Sequence, residues 1–307
     1  MSEHRKGLLL TTLGVCLLIP DATFVRLIDA SSLTNALWRS GLLAVSLTLF
    51  LILKYRFRLF TVVKQLGRWG VTSSLFSGLG TILFVGAIDR TSVANVLLIL
   101  ALSPIWAAVL TRFVTRVPVR THTLVAVPFA FLGVSIALSG SVENLNNAGN
   151  LLALFCSLVL ASNLTLIRAH KRIDMVPAVA LGGVLGFVAL SLAGTSPRLL
   201  PGDLTPTLIL GALILPSAMA LMTMGGRYLP SPETALLLLG ETALSPVLAA
   251  IVIKESIPLQ SLVGGSIVIL TLFLHACIPL SSRWSSHLDK TLRTTQVLPV
   301  DLNDSDS

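Results

Sequence analysis

The sequence predicts an all-α membrane protein whose ten helices cross the bilayer as two related halves. Of its 307 residues only 12% are charged, and its mean hydropathy is +0.88. A soluble domain carries about 25% charged residues, so this chain has too little polar surface to cover a water-soluble globule. Its apolar residues fall into blocks of about 20, the length that a helix needs to cross the hydrocarbon core.

Ten such blocks can be delimited along the chain. The candidate spans are residues 7–27, 33–53, 69–88, 92–112, 121–140, 149–169, 176–195, 205–224, 231–253 and 259–279. The fifth contains Pro128, which membrane helices tolerate when neighbouring helices satisfy the freed carbonyl. The first follows Arg5 and Lys6 as in a signal peptide, but Pro20-Asp21 stands where a small-residue cleavage site would be. We therefore expect the first span to be retained.

The distribution of lysine and arginine predicts the orientation of these spans. With the N-terminus in the cytoplasm, 17 basic residues fall in cytoplasmic segments: Arg5, Lys6, Lys54, Arg56, Arg58, Lys64, Arg68, Arg112, Arg116, Arg120, Arg168, Lys171, Arg172, Arg227, Arg283, Lys290 and Arg293. Four fall outside: Arg26, Arg90, Arg198 and Lys254. This asymmetry predicts two cytoplasmic termini in a bacterial inner membrane. It also accounts for the net charge of +8 without a nucleic-acid partner.

Cysteine and histidine patterns indicate no cofactor and no metal site. Cys16, Cys156 and Cys277 lie inside apolar blocks, and the chain has no CxxC pair or Cys/His cluster. No span carries HExxH, GxSxG or paired histidine and acidic residues. These absences disfavour an integral-membrane enzyme, which stays open as an alternative.

A weak internal repeat divides the chain. A shift of 142 positions aligns nine pairs without a gap: Gly7/Gly149, Asp21/Asn163, Thr23/Thr165, Arg26/Arg168, Arg56/Arg198, Thr81/Thr223, Ser92/Thr234, Ser103/Ser245 and Pro104/Pro246. Chance similarity between apolar helices is the alternative explanation. The predicted units are a cytoplasmic N-terminus (1–6), two five-helix repeats (7–140 and 149–279) and a polar, disordered cytoplasmic tail (280–307).

Five helices per repeat have a geometric consequence. An odd number of crossings makes the second repeat enter the membrane from the opposite side, so the two repeats are inverted. In transporters with this plan, the solute site lies near the midplane between the repeats.

Two segments resemble EamA-type members of the drug/metabolite transporter superfamily. They are TSVANVLLILALSPIWAAVL in the first half and SPETALLLLGETALSPVLAAIVIKESIPLQSLVGGSIVIL in the second, which carries Glu241, Pro246, Glu255 and Gly264-Gly265 in the family's pattern. The resemblance covers residues 7–279. It implies ten helices, inverted repeats and a central cavity for amino acids or other small metabolites. The first half reads TRFVTRVPV where the family has an acidic residue, so the resemblance implies no symmetrical role for Glu255.

Glu241 is the strongest candidate for a functional residue. It lies near the middle of the ninth span, with no basic residue within one helical turn. A carboxylate at this depth is costly and usually faces a cavity or a partner. It could bind a cationic group or carry a proton; the alternative is a protonated side chain that fixes helix packing.

Asp21 and Arg39 form the second candidate site. Each lies about four residues from the centre of its span, which places both roughly 6 Å from the midplane. Equal depth on consecutive helices allows a salt bridge, which could brace the helices, gate the outer side or bind a zwitterionic solute. The adjacent Pro20 frees a backbone carbonyl and permits bending.

Polar and aromatic residues supply weaker candidates for the solute pathway. Asn163 is the repeat counterpart of Asp21 and either lines a cavity or joins helices. The others are Asn95, Ser103, Trp106 and Ser245. The Ser103-Pro104 and Ser245-Pro246 pairs also predict helix bends.

Taken together, these residues predict a secondary transporter that moves a small metabolite by alternating access. An amino acid or related solute is expected, with efflux or exchange as the direction and protons as a candidate coupling ion. The expected partners are this solute and the membrane lipids. A non-transporting scaffold is a further alternative, but it would need no charge at the midplane.

Overall fold

The computed structural model describes residues 3–88, 90–91, 93–114, 121–139, 148–252, 259–260 and 262–275. These residues form helices and short connections and contain no β-strand. Glu255 and the polar tail lie outside the described residues.

Thirteen α-helices are defined in this part of the chain. They are α1 (Glu3–Leu18), α2 (Asp21–Arg26), α3 (Ser32–Tyr55), α4 (Leu59–Ile88), α5 (Val93–Leu100), α6 (Ser103–Val114), α7 (Thr121–Leu138), α8 (Ala148–Ala169), α9 (Val176–Leu192), α10 (Leu204–Leu208), α11 (Leu215–Gly226), α12 (Ser231–Val252) and α13 (Leu262–His275). A 3₁₀ turn joins α3 to α4 at Arg56–Arg58, and a π-helical turn joins α10 to α11 at Ile209–Ile214.

Five helical segments are long and apolar enough to cross a membrane. They are Glu3–Val25, Ser32–Ala87, Val96–Val114, Ala148–Ala169 and Leu204–Gly226. Large apolar side chains such as Leu53, Phe113 and Leu192 point away from the bundle and are more than two-thirds exposed. Because soluble proteins rarely expose such extensive apolar surface, this exterior indicates an integral membrane protein.

The first membrane segment is broken at Pro20. This residue has no N–H group to donate to a carbonyl one turn earlier, and α1 ends at Leu18. The Ile19 N–H bonds to Cys16 O instead, at 3.3 Å. The chain resumes as α2 at Asp21, so the break places the Asp21 carboxylate at a discontinuity inside an apolar segment.

Glycines allow α9 to pack tightly between α3 and α4. A Cβ on Gly182 would lie 2.5 Å from Ser77 Cβ of α4. A Cβ on Gly183 would lie 3.0 Å from Ser40 O of α3. Small residues that let backbones approach are typical of helix interfaces in membranes, and here they bring α3 and α4 to fixed positions on either side of α9.

The two Ser-Pro pairs differ in their effect on the helices. The chain leaves helical conformation at residues 101–102, directly before Ser103-Pro104. In contrast, α12 continues as a helix through residues 245 and 246. The bend predicted at Ser103-Pro104 therefore coincides with a break between helices, whereas α12 has no break at Ser245-Pro246.

Candidate functional site

Asp21 and Arg39 form a two-pronged ion pair inside the bundle. Arg39 Nη1 lies 2.8 Å from Asp21 Oδ1, and Arg39 Nη2 donates to Asp21 Oδ2 at 3.1 Å. The fork of the guanidinium group matches both carboxylate oxygens, which is the geometry of the stronger ion pairs in proteins. The pair links the start of α2 to the second turn of α3.

The break before Asp21 is held against α12. Ser245 Oγ donates to the Ile19 carbonyl at 3.1 Å. Helix α12 also packs against both α1 and α2. Because the break has a side-chain partner on another helix, its backbone oxygen is satisfied without water.

Glu241 lies on the α12 face that meets the break before Asp21, and we name Asp21, Arg39 and Glu241 together the three-charge site. Glu241 lies four residues before Ser245 on α12, so both side chains occupy one helix face, and this face meets the break at Ile19. Helix α12 packs against α2, which carries Asp21. The three-charge site therefore contains two carboxylates and one guanidinium group.

The side chains of this site are largely but not completely buried. The Asp21 side chain is 16% exposed and the Arg39 side chain 20% exposed. Glu241 is partly exposed, whereas Gly240 and Ala243 beside it are buried. Charged side chains inside an apolar bundle are costly, so such residues usually face a cavity or a partner.

Asn163 lies outside the three-charge site. Its Oδ1 accepts from Ser73 Oγ at 2.7 Å, and its Nδ2 donates to Ser77 Oγ at 3.2 Å. Both serines belong to α4, so the amide bridges α4 and α8. Of the two roles that the sequence left open, the hydrogen bonds favour the joining of helices.

The remaining predicted residues are spread over α5 and α6. Ser103 is buried at the start of α6. Trp106 is partly buried and packs against Ala161, Leu164 and Ala235. Its Nε1 has no hydrogen-bond partner among the described residues. The side chain of Asn95 lies outside the described residues.

A polar cluster that the sequence analysis missed lies at the other end of the bundle. His4 Nε2 lies 2.9 Å from Glu233 Oε2, which joins the first turns of α1 and α12. Ser231 Oγ lies 2.6 Å from Thr111 Oγ1 and accepts from Thr165 Oγ1 at 3.2 Å. The sequence did contain a signal for this cluster, because Glu233 is an acidic residue at the edge of an apolar span.

An apolar groove lies between α3 and α9, apart from the three-charge site. It has a volume of about 340 Å³ and is lined by Leu37, Trp38, Phe187, Ser191, Thr195 and Pro197. Trp38 Nε1 donates to Pro197 O at 2.9 Å. The lining carries no charged side chain to orient a polar solute. Within the described residues, no cluster of three or more histidine, cysteine or acidic side chains could hold a metal ion.

The fold and the three-charge site define a helical integral membrane protein that carries charged side chains in its interior. Residues 7–139 match the model of the EamA-like transporter family. This match confirms, for residues 7–139, the resemblance to EamA-type members of the drug/metabolite transporter superfamily that was found in the sequence. Members of this family are membrane transporters.

A solved structure supports the fold independently of the family match. It is described only as the crystal structure of a protein, and it is 14% identical in sequence with a TM-score of 0.76. The alignment covers 90% of this chain and 98% of the other. At this identity the similarity shows a shared fold. No curated protein matches the chain.

Proposed function

We propose that the protein is a secondary transporter that moves a small metabolite by alternating access between two five-helix repeats. The observation that carries this proposal is the three-charge site. Asp21, Arg39 and Glu241 come from three different helices and lie inside an apolar bundle. A scaffold has no need for such charges, because each weakens the membrane insertion of its helix.

The inverted repeat is supported by one pair of equivalent contacts. A Cβ on Gly14 would lie 2.6 Å from Met222 Cγ, so α1 contacts α11 at these two positions. In the proposed repeat, position 14 corresponds to position 156 and position 222 corresponds to position 80, with a shift of 142 in each case. Cys156 Sγ of α8 lies 3.4 Å from Gly80 O of α4. The same contact thus recurs with the halves exchanged, as expected for two repeats of 7–140 and 149–279 and for ten crossings.

The charges favour an amino acid or a related solute. Arg39 suits the carboxylate of a zwitterion because its fork can bind two oxygens. Glu241 and Asp21 suit an ammonium group, since together they leave an excess of negative charge. Binding of the solute would then exchange the ion pair between Asp21 and Arg39 for contacts with the solute.

Glu241 is also the proposed carrier of a coupling proton. A carboxylate that interacts with Asp21 in an apolar surrounding gains stability when it is neutral, because desolvation and a nearby like charge both disfavour ionisation. Proton binding and solute binding would compete at this side chain. Efflux or exchange follows if protons enter as the solute leaves.

The orientation is proposed from charge asymmetry. The 17 basic residues on one face and four on the other favour two cytoplasmic termini in a bacterial inner membrane.

Reconstitution into liposomes tests the function directly. Purified full-length protein would be supplied with a panel of amino acids, amines and small organic acids, with and without a pH gradient. We expect uptake of at least one amino acid or amine that is accelerated by the gradient. A scaffold or an enzyme would give no uptake above empty liposomes, and chemical conversion of a panel member would favour the enzyme.

A further inference from the structure

The segment from Lys54 to Trp69 has an unusual combination of charge and exposed aromatic side chains. Its sequence is KYRFRLFTVVKQLGRW, with five cations and no acidic residue. It connects α3 to the apolar part of α4. We name it the basic segment (residues 54–69).

Two backbone features separate the basic segment from the helices beside it. Arg56 has φ +47°, in the left-handed region. This conformation costs a residue with a side chain roughly 1–2 kcal/mol. Gly67 has φ +52° and interrupts α4. Residues 57–66 therefore form a short unit whose direction is independent of the apolar helices on either side.

The inner side of this unit packs on the protein. Leu66 is buried in a cluster with Ile167, Met175 and Ala178 from α8 and α9. Val62 and Leu59, one and two turns before Leu66 on the same helix face, are partly buried. The unit is thus attached along one stripe and has a fixed outer side.

The outer side pairs aromatic rings with cations. Phe57 is fully exposed and Phe60 is 80% exposed. Arg56, Arg58 and Lys64 are exposed beside them. Among the described residues, the ion pair of the basic segment is Lys54 with Asp174, at 3.6 Å. Arg56, Arg58 and Lys64 have no carboxylate within ion-pair distance in the described part of the chain.

We propose that the basic segment binds anionic phospholipids of the leaflet at this face of the protein. The cations would contact the phosphate groups, and the two phenylalanine rings would enter the boundary between headgroups and acyl chains. Helices with exposed aromatic and basic side chains bind membrane surfaces in this way. Each basic residue near an anionic surface adds to the affinity.

Lipid fits this surface better than a soluble partner. The segment is tethered at both ends to helices of a membrane protein, so its rings already lie beside the bilayer. Binding there orders little additional chain and removes apolar surface from water. The acidic tail of this chain, with Asp301, Asp304 and Asp306, is the competing occupant that the experiment must separate.

Native mass spectrometry of the detergent-solubilised full-length protein tests the proposal. Phosphatidylglycerol would be titrated against phosphatidylcholine, and soluble glycerol phosphate would test the headgroup alone. We expect wild-type protein to retain phosphatidylglycerol preferentially and to bind glycerol phosphate weakly. The substitutions Arg56→Gln and Arg58→Gln together should weaken phosphatidylglycerol binding about thirty-fold.

A matched control removes the same charge elsewhere on the same predicted face. Lys171 and Arg172 are exposed, and Lys171→Gln with Arg172→Gln should weaken binding less than about threefold, because they lie outside the unit that carries Phe57 and Phe60. Phe57→Ser with Phe60→Ser tests the rings and should weaken binding of the lipid while leaving that of glycerol phosphate unchanged.

Two results would overturn the proposal. Equal losses in the two charge-removal variants would show that only the net charge of the face matters. A gain of tenfold or more when Asp301, Asp304 and Asp306 are changed to asparagine would show that the tail is the resident occupant. Both outcomes are independent of transport, because lipid retention requires no solute.

Discussion

The three-charge site and its repeat counterpart differ in a way that separates function from packing. A shift of 142 positions relates Asp21 to Asn163, Arg39 to Leu181 and Glu241 to Ile99. Asp21 is charged and paired, whereas Asn163 is neutral and bonded to two serines of α4. Leu181 is 40% exposed on the outer surface of α9.

If the two halves are the repeats proposed above, this comparison teaches that they share one helix contact but not the charged residues. The Gly14–Met222 and Cys156–Gly80 contacts occupy equivalent positions, so the helices can meet alike in both halves. The Asp21–Arg39 ion pair, however, lies at the break between α1 and α2 and on the face of α3 beside it. In the proposed repeat, one half would thus carry a charged site at positions where the other half has neutral side chains.

Glu241→Gln should have the largest effect on this comparison. The substitution replaces the carboxylate by a neutral amide of the same shape, and the counterpart position, Ile99, is also uncharged. We expect transport driven by a pH gradient to fall by about tenfold or more, since a charge-assisted interaction is worth about 1.5–3 kcal/mol. Flux in liposomes measures it. Glu233→Gln is the control, because the amide can still bond to His4, and an unchanged pH profile in Glu241→Gln would contradict proton coupling at this site.

Asp21→Ala should have the next largest effect, on stability. It leaves the Arg39 guanidinium group mostly buried without its carboxylate, which we expect to cost about 2–4 kcal/mol. Thermal unfolding in detergent measures the loss. Exchange of the two residues, Asp21→Arg with Arg39→Asp, should recover most of it. If the exchanged variant were no more stable than Asp21→Ala, the ion pair would not hold these helices together.

Gly14→Ala and Cys156→Ala compare the two equivalent contacts. The new Cβ at position 14 would lie 2.6 Å from Met222 Cγ and 3.0 Å from Ala218 O. We expect a loss of about 1–3 kcal/mol from overpacking. Cys156→Ala removes only a weak Sγ contact and should change stability by less than about 1 kcal/mol. Equal melting temperatures for the two variants would show that α1 does not approach α11 more closely than α8 approaches α4.

Asn163→Ala should have the smallest effect. It removes the hydrogen bonds to Ser73 and Ser77, and we expect a loss of about 1 kcal/mol, because such bonds between membrane helices are individually weak. The dependence of flux on pH should be unchanged. A loss of pH dependence in this variant would place Asn163 in the pathway and remove the distinction between the two halves.

Much of the architecture could be predicted because hydropathy acts over whole segments. The apolar blocks indicated membrane helices, and the motifs around Glu241 indicated the family that residues 7–139 match. The possible pairing of Asp21 with Arg39 followed from equal depth alone, since the bilayer restricts consecutive helices to antiparallel paths. The ion pair is present in the structure. Ten crossings, their orientation and the roles of the site residues stay predictions.

Other features depended on long-range contacts that no local pattern contains. The position of Glu241 beside the ion pair comes from α12 packing on the break at Ile19, more than 200 residues away in sequence. The His4–Glu233 pair likewise joins distant ends of the chain. Asn163 could face a cavity or another helix, and only the position of Ser73 and Ser77 decided between these two roles.

The sequence by itself determined that this chain lies in a membrane, that its helices are apolar on their outer faces and that few charges enter the bundle. The hydrophobic driving force and the cost of placing a charge in lipid depend on the residues of each segment, which can be read directly from the sequence. The tertiary structure decided which of those charges meet and which Ser-Pro pair interrupts its helix. Residues 101–102 break beside Ser103, whereas α12 runs through Ser245 with α1, α2, α6, α7 and α8 packed around it. The same Ser-Pro dipeptide can therefore end a helix or lie within one, because the surrounding helices differ between the two positions.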